Sequence, residues 1–216
     1  GGARRAVLLG ALAVELALNV SEPPPVSGCP SGIQDQDSLT LNYGAGCLPE
    51  SGLFELGLLG SASFTLAGGS GVFVGDVTSL GFPDLPLLGS VSGQVSRAGD
   101  LVSADLEFSD LVWTDSGLEN RFDGLFELSI DGEDVLLNLA SGRMLRGGEP
   151  HFRVDLEDIV PAPLSMGPCW LPISGQATLE RDQDTAMMVF TETTGSDSEV
   201  EVEYGSRDPA MIEPCD

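Results

Sequence analysis

From Ser38 onward the chain alternates apolar and polar residues in short segments closed off by Gly, Asp, Ser and Pro. "SLTLNY" puts Leu39, Leu41 and Tyr43 on one side, and "VSADLEF" puts Val102, Ala104, Leu106 and Phe108 opposite Ser103, Asp105 and Glu107. "RFDGLFELSI", "DVLLNLA", "HFRVDLE" and "EVEVEY" repeat the pattern. Successive strand side chains point to opposite faces, so a period of two describes strands with one buried and one wet face. "SIDGEDV" reads as a hairpin turn about Asp131 and Gly132. No amphipathic helix of ordinary length is legible. The pattern predicts an all-β chain, an antiparallel β-sandwich or barrel-like fold with an extended N-terminal strand.

Two units are expected: residues 1–28, an extended strand with a Pro-rich spacer, and residues 29–216, a disulfide-stabilised β-domain. The irregular stretch "VPAPLSMGPCWLPISG" marks a sub-boundary near 160–175.

Charge narrows the function. The 216 residues carry 34 acidic side chains against nine basic ones, all Arg, for a net charge of −25. Such a chain is repelled by nucleic acid and by anionic lipid surfaces. Without Lys, it cannot join a fibre through Lys isopeptide cross-links. The cysteines are Cys29, Cys47, Cys169 and Cys215, none spaced as C-x-x-C, and His151 is the sole His, which gives no zinc or redox signature. An even count in this composition points to disulfides and an extracellular or cell-surface location. Three pairings exist; Cys29–Cys47 with Cys169–Cys215 is favoured because each pair brackets one end of the chain.

The opening residues decide the most. Arg4 and Arg5 precede an apolar run from Ala6 to Val20, the layout of an export signal, but Glu15 interrupts the run and "SEPPP" parts it from the lipobox-like "VSGC". A membrane helix needs about 20 apolar residues, so no membrane insertion is expected. Leu12, Val14, Leu16, Leu18 and Val20 alternate with Ala13, Glu15, Ala17 and Asn19. Ala, Leu and Glu favour helix, yet strict alternation over nine residues reads as a strand. That strand either pairs within its own domain or is donated to a neighbouring subunit.

Catalytic signals are absent. Ser/His hydrolysis would depend on His151, and "GGSGV" around Ser70 lacks the last Gly of a nucleophile elbow. There is no phosphate-binding or dinucleotide fingerprint. Thirty-four carboxylates always contain some pair at a glycosidase separation, so the count says nothing. Metal sites and cofactors are not expected, with calcium the one ligand entertained, on Asp35–Asp37, Asp131–Asp134 and Asp182–Asp184. "NVS" at Asn19 is a glycosylation sequon, and "GLFEL" occurs at 52–56 and again at 124–128.

Three resemblances complete the reading. "GALAVEL" is similar to the processing site of type IV pilins, although "SEPPP" ends the run too soon for their long helix. "LTLNYGAGC" and "CWLPISGQATLE" resemble segments of secreted or lipid-anchored bacterial β-domains. In layout the chain resembles donor-strand-exchange fibre subunits, which implies a structural, non-enzymatic subunit of a pilus-like filament. It would polymerise with copies of itself by lending Leu12, Val14, Leu16, Leu18 and Val20 to the next subunit. The alternative is a monomeric secreted or surface-anchored binding domain for a glycan or calcium.

Overall fold

The computed structural model describes residues 2–48, 57–67, 71–82, 85–160, 172–191, 200–205 and 210–212. It begins with one helix, α1 (Gly2–Ser21). Thirteen strands follow among the described residues: β1 (Ser31–Asp35), β2 (Ser38–Cys47), β3 (Leu58–Ala67), β4 (Val72–Phe82), β5 (Leu85–Ala98), β6 (Leu101–Asp115), β7 (Leu118–Asp131), β8 (Asp134–Arg146), β9 (Glu149–Val160), β10 (Ser174–Arg181), β11 (Asp184–Phe190), β12 (Val200–Tyr204) and β13 (Ala210–Ile212). Each strand pairs antiparallel with the next in sequence order, forming a single sheet with β1 and β13 as its edges rather than a closed barrel. The edges are short, five and three residues, which limits edge-to-edge pairing.

The antiparallel all-β expectation holds. Along β6 the burial alternates from Val102 to Phe108, with Ser103, Asp105 and Glu107 exposed. The Asp131–Gly132 hairpin joins β7 to β8 as expected. The sheet also continues across the anticipated sub-boundary, since Ser174 of β10 pairs with Val160 of β9; residues 161–171 lie outside the described set.

The N-terminal expectation is corrected. Leu12, Val14, Leu16, Leu18 and Val20 lie on a 20-residue helix, not on a strand. The alternation misleads because two of the intervening residues are Ala13 and Ala17, which are themselves fully buried. The segment is therefore apolar all round, the composition of a helix buried on every side, and its Ala, Leu and Glu content favours helix. Ala6, Val7, Leu9, Ala11, Leu12, Ala13, Val14, Leu16 and Ala17 are all core residues, while Leu18 and Val20 are partly buried near the end. Burying Val7, Leu9, Leu12, Val14 and Leu16 contributes roughly 7–15 kcal/mol before the entropy of ordering. Pro23, Pro24 and Pro25 stop the helix, and its last turn is closed by Glu22 N–H on Leu18 O at 2.9 Å and Ser21 Oγ on the same carbonyl at 2.8 Å.

The sheet curls around this helix with the help of a repeated device. Ser79, Asp110, Ser141 and Asp158 adopt left-handed backbone conformations, φ 50–56°. The pairing register shifts near each of them. The carbonyls of Ser79, Asp110 and Asp158 press on Gly60, Gly89 and Gly175 of a neighbouring strand; a Cβ on Gly60 would lie 2.1 Å from Ser79 O. The backbone N–H at three of the bulges is taken by a side chain one strand away: Asp110 N–H by Asp123 Oδ1 at 2.7 Å, Ser141 N–H by Asp155 Oδ1 at 2.6 Å, and Asp158 N–H by Asn138 Oδ1 at 2.7 Å. Bulges bend and twist a strand. A file of them across neighbouring strands lets the sheet's inner face enclose the helix in one core.

Candidate functional site

A meander of antiparallel strands brings the ends of even-numbered strands and the starts of odd-numbered ones to the same rim. At one rim this gathers Asp115, Arg146, His151, Arg181 and Tyr204, and Arg5 in the first turns of α1 joins them through its ion pair with Asp115. Asp115 also accepts from Ser116 Oγ at 3.0 Å, and that bond together with Arg5 lowers its pKa from the ordinary carboxylate value.

Beside this rim lies a hollow of about 700 Å³ between the ends of β9 to β12. Its walls include His151, Phe152, Leu179, Arg181, Asp184 and Tyr204. His151 stacks at a tilt on Phe152, with ring centroids 5.0 Å apart. Burial lowers the His151 pKa below its usual value, and the positive charges of Arg181, Arg146 and Arg5 lower it further. Three of the chain's nine Arg thus act together on one imidazole, with Asp115 and Asp184 as the acidic neighbours on the same rim. Chemically it can hold a negatively charged group, with aromatic surface from Phe152 and Tyr204 alongside.

The other end of α1 carries a buried polar cluster. Asn19 Nδ2 donates to Glu15 O at 2.8 Å, to Glu15 Oε1 at 2.7 Å and to Tyr43 Oη at 3.3 Å. Burial pushes the Tyr43 phenol well above its ordinary range, and the adjacent Glu15 pushes in the same direction. Glu15 and Asn19 stand four residues apart and so share one helix face; this cluster ties α1 to β2.

The other expected site residues fall as follows. Cys29 and Cys47 form a disulfide, Cα atoms 6.0 Å apart, that fastens the spacer after α1 to the end of β2. Cys169 and Cys215 lie outside the described residues, as do Ser70 and the first "GLFEL". The acidic clusters at 35–37, 131–134 and 182–184 occupy three separate hairpin turns, and no group of three potential metal ligands comes together among the described residues. Asn19 of the sequon is only 8% exposed, with its amide engaged, so it is no glycan acceptor.

The row Leu12, Val14, Leu16, Leu18 and Val20 is helical and packs against the inner face of its own sheet. Sequence reading took Arg5 only as part of a basic start and did not single out Arg146 or Arg181, whose one signal was the rarity of basic residues. No helix among the described residues is long and apolar enough to cross a membrane. Comparison with known proteins finds no matching family model, no matching curated protein and no matching solved structure.

Proposed function

We propose that the chain is a monomeric binding domain for a small anionic ligand, seated in the hollow walled by His151, Phe152, Arg181 and Tyr204. The observation that carries this reading is the convergence of Arg5, Arg146, Arg181 and His151 on one rim of a strongly acidic protein. Arg5 is held by Asp115 and Asp184 shares the hollow, so Arg181 is the cation the concave, partly apolar surface itself presents to a ligand. Clefts of this kind concentrate oppositely charged ligands. The Cys29–Cys47 disulfide supports an oxidising, extracellular or surface setting. Polymerisation through residues 12–20 would require pulling the helix out of its own core, so the filament reading loses its proposed mechanism.

Calorimetric titration with small carboxylates, sulfate and neutral sugars tests the proposal, run on the wild type and on Arg181→Gln. Anions should bind, binding should weaken with added salt, and Arg181→Gln should lose about tenfold in affinity, the scale of one charge-assisted hydrogen bond. Equal affinity for neutral and charged compounds would refute it. Light scattering on the same samples should give a monomer mass.

A further inference from the structure

The outer face of the sheet carries a second hollow, of about 530 Å³, over β6 to β9. Glu107, Asp123, Leu125, Ala140, Arg143 and Arg153 line it. It shares no residue with the hollow beside His151. Pairing register fixes its layout. Glu107 of β6 stands opposite Leu125 of β7, and Leu125 opposite Ala140 of β8. Further along, Asp123 of β7 stands opposite Arg143 of β8, and Arg143 opposite Arg153 of β9. The two acids therefore lie on the β6–β7 side and the two guanidinium groups on the β8–β9 side. Leu125 and Ala140, both exposed, give the hollow an apolar floor.

Like charges directly opposite each other on a sheet repel. The chain has 34 acidic residues with which to separate them. Yet among the described residues no carboxylate forms an ion pair with Arg143 or Arg153, whereas Arg5, Arg97 and Arg121 each hold one. Glu107 likewise has no ion-pair or hydrogen-bond partner among the described residues. Arg153 Nη2 donates only to Ser141 Oγ, at 3.3 Å. Ser141 belongs to the bulge between β8 and β9 and also lines the hollow. The bulge thus holds Arg153 beside Arg143, a use of bulges that re-aims a side chain.

We propose that this hollow binds a short zwitterionic peptide, two or three residues long, independently of the anion site beside His151. The peptide's terminal carboxylate bridges Arg143 and Arg153, whose planar forks of N–H donors match carboxylate oxygens. Its terminal ammonium pairs with Glu107, and small apolar side chains rest on Leu125 and Ala140. Charge selects the class. Two cations and two anions line the hollow, so a simple anion gains on one side and is repelled on the other. A zwitterion gains on both. Geometry selects the length. Glu107 and Arg143 are rooted two strands apart, about 9–10 Å. Two or three extended residues span about 7–11 Å, whereas a free amino acid carries its two charges on one carbon.

Calorimetric titration of the full chain with trialanine tests the proposal. N-acetyl-trialanine lacks the ammonium, trialanine amide lacks the carboxylate, and sulfate is the anion control. Trialanine should bind, and each cap should weaken binding at least fivefold. Arg143→Gln, Arg153→Gln and Glu107→Gln should each lose about fivefold, the upper end for an exposed ion pair. Arg181→Gln should stay within twofold. The three variant side chains are exposed, so melting temperatures should hold.

If N-acetyl-trialanine binds as tightly as trialanine and sulfate displaces it, the hollow takes an anion only and the peptide assignment is overturned. If trialanine binding falls with Arg181→Gln and not with Arg143→Gln, the peptide sits beside His151 and this site is overturned. If trialanine does not bind at millimolar concentration, the proposal fails whatever happens at the His151 hollow, and the Arg pair is a row of cross-strand charges alone.

Discussion

Asn19 donates its side-chain amide to Glu15 Oε1 at 2.7 Å, one helical turn back, inside the core. The same amide reaches Tyr43 Oη on β2, so one short polar contact fixes the rotation of α1 against the sheet. Replacing Asn19 with Leu deprives the buried carboxyl of that donor. The expected loss is about 1–3 kcal/mol of unfolding free energy, read by urea denaturation. Tyr43→Phe removes only the longer 3.3 Å contact and should cost about 1 kcal/mol or less.

Gly10 lies where β8 touches the helix. A Cβ there would sit 2.3 Å from Leu137 Cδ2, and Leu137 is itself fully buried. Ala at position 10 gains up to about 1 kcal/mol of helix propensity against an overpacking cost of about 1–3 kcal/mol. Gly10→Ala should therefore be mildly destabilising, and Gly10→Val, with a larger and β-branched side chain, clearly more so. Thermal melts of the pair establish the order.

Gly60 meets a harder obstacle, the carbonyl of Ser79 at 2.1 Å from a built Cβ, and its own φ is 89°. Backbone cannot swing aside as a side chain can. Gly60→Ala should cost about 2–4 kcal/mol, from strain plus displacement of β4. Denaturant midpoints that match the wild type would show that the bulge at Ser79 is not needed to curl the sheet.

His151 is the sole histidine, so its ring proton resonance needs no assignment. Its midpoint should fall below the ordinary 6.5 in the free protein. Arg181, Arg146 and Arg5 act on it from β10, β8 and α1, while Asp184 and Tyr204 line the same hollow from β11 and β12. Because the unfolded chain takes up this proton first, the group's contribution to stability is complete above about pH 6.5 and declines as pH falls toward the folded midpoint. A bound carboxylate should raise the midpoint, and linkage then requires anion affinity to rise as pH falls. A midpoint that ignores saturating ligand would place the ligand away from His151.

Reduction of Cys29–Cys47 frees an 18-residue separation and should cost about 3 kcal/mol in the chain-entropy account. The Cys29→Ser/Cys47→Ser double variant, compared with the wild type by denaturant unfolding, measures it.

Strands β6 to β9 were legible because each contributes one face to the core and one to water, and that division is written residue by residue as alternation. The bulges were not legible. Asp110 and Asp158 look like any polar strand residue, and their left-handed backbone brings their carbonyls to Gly89 and Gly175 on neighbouring strands, where only glycine leaves room. The helix was misread for a related reason. Alternation of Leu with Ala resembles a strand wherever Ala counts as the dry–wet contrast, but Ala13 and Ala17 are as buried as their neighbours. The spacing of Glu15 and Asn19, one turn apart, was the local sign of helix.

By itself the sequence determined the strand faces, the hairpin at Asp131 and the acidic exterior, properties set by near neighbours or by composition, and it favoured Cys29 with Cys47 among three possible pairings. Only the tertiary structure decided that the apolar opening segment fills its own sheet, because a helix buried on all sides carries no polar stripe to announce what surrounds it. It also decided that Arg5, Arg146, His151 and Arg181 share one rim. Those residues are spread over 177 positions, from 5 to 181, and they meet only because the antiparallel meander returns every second connection to the same end.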